Sequence, residues 1–98
     1  MSFEPILSAR AHRELLEGWK WYEDKQQGLG DKFKKEVYDA IAYIILHPEH
    51  FPQRKRPYYE SLIKIFPYLI IYRVLKKERF ILISSIFHAS QNPRKKYK

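Results

Sequence analysis

The chain has 98 residues and no cysteine; 45% are hydrophobic and 16% aromatic, and 19 Lys and Arg stand against 11 Asp and Glu for a net charge of +8. This length suits one domain. The lack of cysteine excludes a disulfide framework and a thiolate zinc site, so one apolar core must carry stability, as in a protein of a reducing compartment. With neither a signal-type start nor an apolar run of about 18 residues, the expected location is the cytoplasm and no membrane span is expected.

The charge is uneven. Residues 1–48 hold 7 Lys and Arg and 8 Asp and Glu, whereas residues 49–98 hold 12 and 3, the acids being Glu49, Glu60 and Glu78. The whole positive excess lies in the second half, where it favours encounter with polyanions or acidic proteins without shaping the fold.

In chain order, residues 2–8 place Phe3, Ile6 and Leu7 around Pro5, which lacks the amide a central strand needs, and predict a short edge strand. Ser8 suits a helix N-cap, and residues 9–27 contain neither proline nor a β-branched side chain, which predicts a helix. Ala11, Leu15, Gly18, Trp19 and Tyr22 share one face of it, with Arg13, Glu14, Glu17, Lys20 and Asp24 mostly on the other. Gly18 on the apolar face would let another backbone approach closely. Gly28-Leu29-Gly30 ends the helix, and Asp31 favours a new start. Phe33, Val37, Ala40, Ile41, Ile44 and Ile45 form a second apolar stripe that Pro48 stops, so the two helices make an antiparallel hairpin.

Pro48, Pro52 and Pro57 around Arg54-Lys55-Arg56 predict an exposed loop over residues 47–59. β-Branched and aromatic residues then predict strands at 62–66, 68–75 and 79–88, with Lys76-Lys77-Glu78 as a hairpin turn. The fold class is α+β: a short N-terminal strand, the helical hairpin, and a three-stranded antiparallel sheet packed against the helices. Strict alternation in the last strand puts Phe80, Leu82, Ser84, Ile86 and His88 on one face and Arg79, Ile81, Ile83, Ser85 and Phe87 on the other. Both faces of the sheet are apolar, and two helices cover only one. A protein partner is therefore expected on part of the other, with curling of the twisted sheet as the alternative. Asn92-Pro93 and then Arg94, Lys95, Lys96 and Lys98 predict a solvated basic end over residues 91–98.

Enzymatic constellations are scarce. No Gly-rich phosphate loop, HExxH or nucleophile elbow is present, and His12, His47, His50 and His88 have no metal-ligand spacing, so neither a metal nor a cofactor is expected. His88 ends a strand at a sheet rim, where it can act as an acid or base, contact phosphate, or simply cap the strand end. Arg73 lies among Leu69, Ile71 and Leu75, where it snorkels to an edge, is presented to an anion, or is salt-bridged to Glu60 or Glu78. The runs Arg54-Lys55-Arg56 and Arg94-Lys95-Lys96 are either solubilising or a docking patch for phosphate or carboxylate groups. Tyr58, Tyr59, Tyr68 and Tyr72 can stack bases or pack the sheet.

Taken together, Leu7-Ser8-Ala9-Arg10-Ala11, Gly28-Leu29-Gly30 followed by Phe33, His47-Pro48, Phe66-Pro67-Tyr68-Leu69-Ile70-Ile71-Tyr72-Arg73-Val74, and Phe87-His88-Ala89-Ser90-Gln91-Asn92-Pro93 resemble the RelE/ParE superfamily of bacterial type II toxins. The resemblance spans nearly the whole chain. It implies a toxin neutralised by a cognate antitoxin in a hetero-oligomer, with the antitoxin covering the spare sheet face. Leu15, Trp19, Tyr22, Val37, Leu69 and Ile71 are its candidate contacts, or, for the helical residues, core. RelE-like members cleave mRNA on the ribosome, and ParE-like members are associated with poisoning DNA gyrase. Leu69 stands where several nucleases keep a catalytic arginine, a loss worth about 2–4 kcal/mol of transition-state stabilisation by analogy with other electrostatic stabilisers. The resemblance therefore favours the ParE branch, although Gln91 and Asn92 stand where that branch commonly carries Arg and Asp. Candidate target contacts are Arg54, Lys55, Arg56, Arg73, His88, Arg94, Lys95 and Lys96. The alternatives are a ribosome-dependent endoribonuclease using His88 and Arg73, and a basic binding protein without toxicity.

Overall fold

The computed structural model describes residues 3–97. Strand β1 (Glu4–Leu7) leads into helices α1 (Ala9–Lys25) and α2 (Leu29–Leu46), then strands β2 (Tyr59–Leu62), β3 (Tyr68–Leu75) and β4 (Phe80–His88), and a 3₁₀ turn at Pro93–Lys95. The strands lie in the order β1-β4-β3-β2. The β2–β3 and β3–β4 pairs are antiparallel, as the sequence indicates, while β1 adds in parallel to β4, with Glu4 opposite Phe80 and Leu7 opposite Ile83. The N-terminal strand is thus an edge of a four-stranded mixed sheet; Ser2, included in its expected span, lies outside the described residues.

Ser8 joins helix to sheet. Its hydroxyl accepts from the Ala11 amide (3.1 Å) as an N-cap and donates to the Ser84 carbonyl (3.0 Å), while its own amide donates to Ile83 O (2.9 Å). At the other end α1 stops at Lys25, two residues before the expected point, because Gln26 turns extended and Gly28 takes φ 88°, which favours glycine. The Glu23 carboxylate accepts from the Gly28 and Gly30 amides at 2.9 Å each, so an anion from the first helix satisfies two of the free donors where the second begins.

The core lies between the hairpin and one face of the sheet. Ala11 and Leu15 from α1 and Phe33, Val37, Ile41 and Ile44 from α2 meet Tyr68, Ile70 and Tyr72 of β3 and Ile81, Ile83 and Ile86 of β4. Gly18 does admit a close approach, though of a ring and not a backbone: a Cβ there would stand 2.7 Å from the Phe33 ring.

The alternation along β4 departs from a strict period of two. Ile71 pairs with Ser85 but Tyr72 with Ile83, so Ser84 is the extra residue of a bulge, and Ile86 and His88 fall on the same helix-facing side as Ile81 and Ile83. The bulge is held by Ser8 on the Ser84 carbonyl and by the Ser84 hydroxyl on Ile71 O (3.1 Å).

Two further expectations are corrected. The strand placed at 62–66 is instead Tyr59–Leu62, because residues 63–67 must turn back for antiparallel pairing with β3; Ile63 and Phe66 reach the core from that turn while Ile65, at φ 74°, is exposed. The second sheet face is not left bare around Ile71 and Phe87, which are 0% and 1% exposed within the chain itself. Glu60 pairs with Ile71 and so projects from that face, where its carboxylate receives the ammonium of Lys96 (3.1 Å) and the hydroxyl of Tyr97. Of the C-terminal segment expected to be solvated, residues 91–95 are exposed as expected, while Lys96 and Tyr97 are half-buried where they meet Glu60 on this face; Lys98 lies outside the described residues.

Candidate functional site

Strand β1 pairs with β4 only as far as Ile83, which leaves the outer edge of β4 open beyond it. Helix α1 fills that gap with a side chain. Glu14 Oε1 accepts from the Ile86 amide (3.0 Å) and the Ser85 hydroxyl (2.7 Å), and its Oε2 accepts from Arg10 Nε (3.1 Å). Arg10 goes on to donate to the carbonyls of Lys95 (2.6 Å) and Lys96 (3.3 Å), tying the C-terminal segment to the first helix. Sequence reasoning missed both residues. A signal was available: a cation in the first turn opposes the helix dipole and calls for a partner elsewhere.

Between α1 and this edge opens a cleft of about 530 Å³ lined by Arg10, Arg13, Glu14, Glu17, Tyr68, His88, Gln91 and Lys95. His88 Nδ1 accepts from the Ser90 amide (3.1 Å) and lies 2.7 Å from the Ser90 hydroxyl, while its ring meets Tyr68 edge-on at 4.9 Å. This is the strand-capping role. Burial first, then the nearby Tyr22, Glu14 and Glu17, push the Tyr68 phenol up to about 12, so it remains a proton donor at neutral pH.

Arg73 stands elsewhere. Tyr68, Ile70 and Tyr72 face the helices, so Arg73 projects from the opposite side of β3, its guanidinium 6.0 Å from the Tyr58 ring centre. It has no ion pair with Glu60 or Glu78 among the described residues, because Glu60 is engaged by Lys96 and Tyr97; its Nε is buried without a hydrogen-bond partner. The sheet thus separates Arg73 from His88.

The two basic runs are brought together. The Tyr58 amide donates to the Lys55 carbonyl (2.7 Å), its ring packs at a tilt on Tyr97 with 4.9 Å between centres, and Lys55 Nζ lies 5.9 Å from the centre of the same Tyr97 ring. Burial first, then the hydrogen bond to Glu60 and its charge, raise the Tyr97 phenol to about 12, while the nearby Arg54 charge acts in the opposite direction. Arg54, Lys55 and Arg56 are exposed on the loop, and Arg94 and Lys95 on the tail. A cationic surface therefore runs from the loop across Tyr97 to Lys95, and on into the cleft at Arg10 and Arg13.

Of the candidate partner contacts, Leu15, Val37 and Ile71 are buried in the chain, the first two in the core between helices and sheet. Ile71, at 0% exposure, is not presented on the surface of the chain by itself. Tyr22 joins an aromatic group with Phe33 (5.2 Å) and Phe66 (4.7 Å), Trp19 donates to Asp31 (2.8 Å) across the helical hairpin, and Leu69 is half-buried. The exposed large apolar side chains are others, among them Leu16 and Trp21 on α1 and Tyr38, Tyr43 and Leu46 on α2. The sequence stripe misses them because they sit beside, not on, the faces that pack the core.

Among the described residues no group of three His, Cys, Asp or Glu could hold a metal ion, and no helix is long and apolar enough to cross a membrane. His47 and His50 instead pack on Tyr43, at 4.5 and 5.6 Å.

An antiparallel helical hairpin on a twisted mixed sheet is also the architecture of a protein described as a chromosomal ParDE TA system from P. aeruginosa, with a TM-score of 0.64 and 15% sequence identity over 88% of this chain and 95% of that one. The two chains thus share one small α+β fold. Residues 6–93 match the family model described as ParE toxin of type II toxin-antitoxin system, parDE, and the chain belongs to that family. No curated protein matches the sequence.

Proposed function

We propose that this protein inhibits growth by binding DNA gyrase in the cytoplasm, and that a cognate antitoxin neutralises it. The observation that favours binding over cleavage is the separation of Arg73 and His88. A nuclease using both would need them on one phosphodiester, to stabilise charge and to move the proton of the attacking hydroxyl, and here a β-sheet lies between them. His88 is further committed through Nδ1 to Ser90. For a cognate antitoxin, support comes from the ParDE system to which the similar structure belongs and from the exposed Leu16, Trp21, Tyr38 and Leu46 of the helices, apolar surface of the kind a protein partner covers. The basic loop and tail, Arg54, Lys55, Arg56, Arg94, Lys95 and Lys96, are the surface assigned to the target complex, with His88 at the mouth of the adjoining cleft and Arg73 on the sheet face beside Tyr58.

The test is supercoiling by purified gyrase with the full chain, run beside mRNA cleavage on purified ribosomes. Loss of supercoiling without cleavage is the expected result, reversed by the antitoxin encoded in the neighbouring reading frame. Ribosome-dependent cuts abolished by His88→Ala would overturn it, as would inactivity in both assays.

A further inference from the structure

The tail and the loop lie far apart in sequence, yet they meet at Tyr97, and the tail continues to Arg10 and the cleft. Six cations carried by the loop, the tail and the cleft wall, Arg54, Lys55, Arg56, Arg94, Lys95 and Arg13, have no ion pair among the described residues, and all six are exposed residues. Two acids beside this path are already occupied: Glu14 by Arg10, Ser85 and Ile86, and Glu60 by Lys96 and Tyr97. Glu17 in the cleft wall is the exception. We propose that this band is a binding surface for the phosphate backbone of duplex DNA, with Arg10 as the positioning residue that holds the tail's cations in line with those of α1.

Two observations choose duplex DNA over other anionic partners. Single-stranded nucleic acid is held by exposed aromatic platforms as well as by charge. The aromatics within this band, Tyr58 and Tyr97, are half-buried and packed against each other at a tilt, and so are not presented to bases as free platforms. An acidic protein would bring apolar anchors to the centre of its interface. Among the described residues the exposed large apolar side chains lie on β1, the two helices and the β2–β3 segment, and none lies in the loop or the tail. What remains is charge recognising a regular array of phosphates, the sequence-independent mode of protein–DNA contact.

Binding of the full chain to a labelled 20-base-pair duplex, without gyrase, tests the surface separately from the proposed target. If all six cations meet phosphates, the salt dependence has a log–log slope of about −5, a loss on the order of 10³-fold between 50 and 200 mM salt. Arg54→Gln, Lys55→Gln and Arg56→Gln together should reduce that slope by about 3, whereas Lys25→Gln, Lys32→Gln and Lys34→Gln, an equal charge loss on the helices, should leave it unchanged. Arg10→Gln should weaken binding by more than any one of the helix substitutions. A slope shallower than about −2, equal effects of the two triple variants, tighter binding to the single strand of the same length, or displacement by polyglutamate as effective as by duplex would each overturn the proposal.

Discussion

Glu60 holds the end of the tail through Lys96 and Tyr97, and its removal gives a quantitative test. Its side chain is 4% exposed and accepts from Lys96, which is 20% exposed, and from the Tyr97 hydroxyl. Breaking a fully buried ion pair by removing one partner costs about 3–5 kcal/mol, because the remaining charge stays desolvated. Lys96 keeps some access to water, which lowers that figure, and the Tyr97 hydroxyl can find water once the tail loosens. Glu60→Ala should therefore cost about 2–3 kcal/mol, and Glu60→Gln, which retains an acceptor of the same shape, about 1 kcal/mol. For a chain of this size the alanine variant should melt roughly 10–20 °C lower. Urea unfolding followed by circular dichroism gives the free energy. Hydrogen exchange gives the mechanism: the amides of Lys95 and Lys96, which donate to Asn92 O (2.9 Å) and Pro93 O (3.1 Å), should lose protection while those of β3 and β4 keep theirs. An alanine variant within about 0.5 kcal/mol of the parent, or tail amides unprotected in the parent, would refute the docked tail.

Two other outcomes follow from the packing and from the tyrosines. Gly18→Ala gains about 1 kcal/mol of helix propensity, but its methyl would stand 2.7 Å from a Phe33 ring that is fully buried among Tyr22, Phe66 and Tyr68; overpacking of about 1–3 kcal/mol should leave the variant less stable than the parent by urea titration, and a gain in stability would contradict that packing. Tyr68 and Tyr97 are raised from 10.0 to about 12, and Tyr72 is raised as well, burial being the largest cause in each. The unfolded chain then releases these protons first, so stability should be level below pH 10 and fall from there to about pH 12; alkaline unfolding monitored by tyrosinate absorbance would show it, and a fall beginning below pH 9 would assign the loss to other groups.

Much of the helical half could be read directly. Ser8 caps where a hydroxyl was expected, Gly28 takes the left-handed turn, Pro48 follows the end of α2, and the stripe from Phe33 to Ile44 faces the core. These are local matters of capping, backbone freedom and a 3.6-residue period, all contained within about 20 neighbouring positions. The β-rich half was legible in type but not in register. Residues 62–66 have strand composition, yet they form a turn because β2 must pair Leu62 with Leu69, and composition carries no information about where a chain reverses.

The sequence by itself determined the helical hairpin, the strand character of β3 and β4, and a charge asymmetry that places every excess cation in the second half. Tertiary structure alone decided what that charge can do. The bulge at Ser84 shifts every later side chain of β4 to the other face, which puts His88 beside α1 and leaves Arg73 across the sheet from it. Glu60 and Arg10, 50 residues apart in number, hold one tail between them and so merge two basic runs into one surface. Such contacts depend on long-range pairing and on a one-residue offset within a strand, neither of which leaves a periodic trace in the sequence.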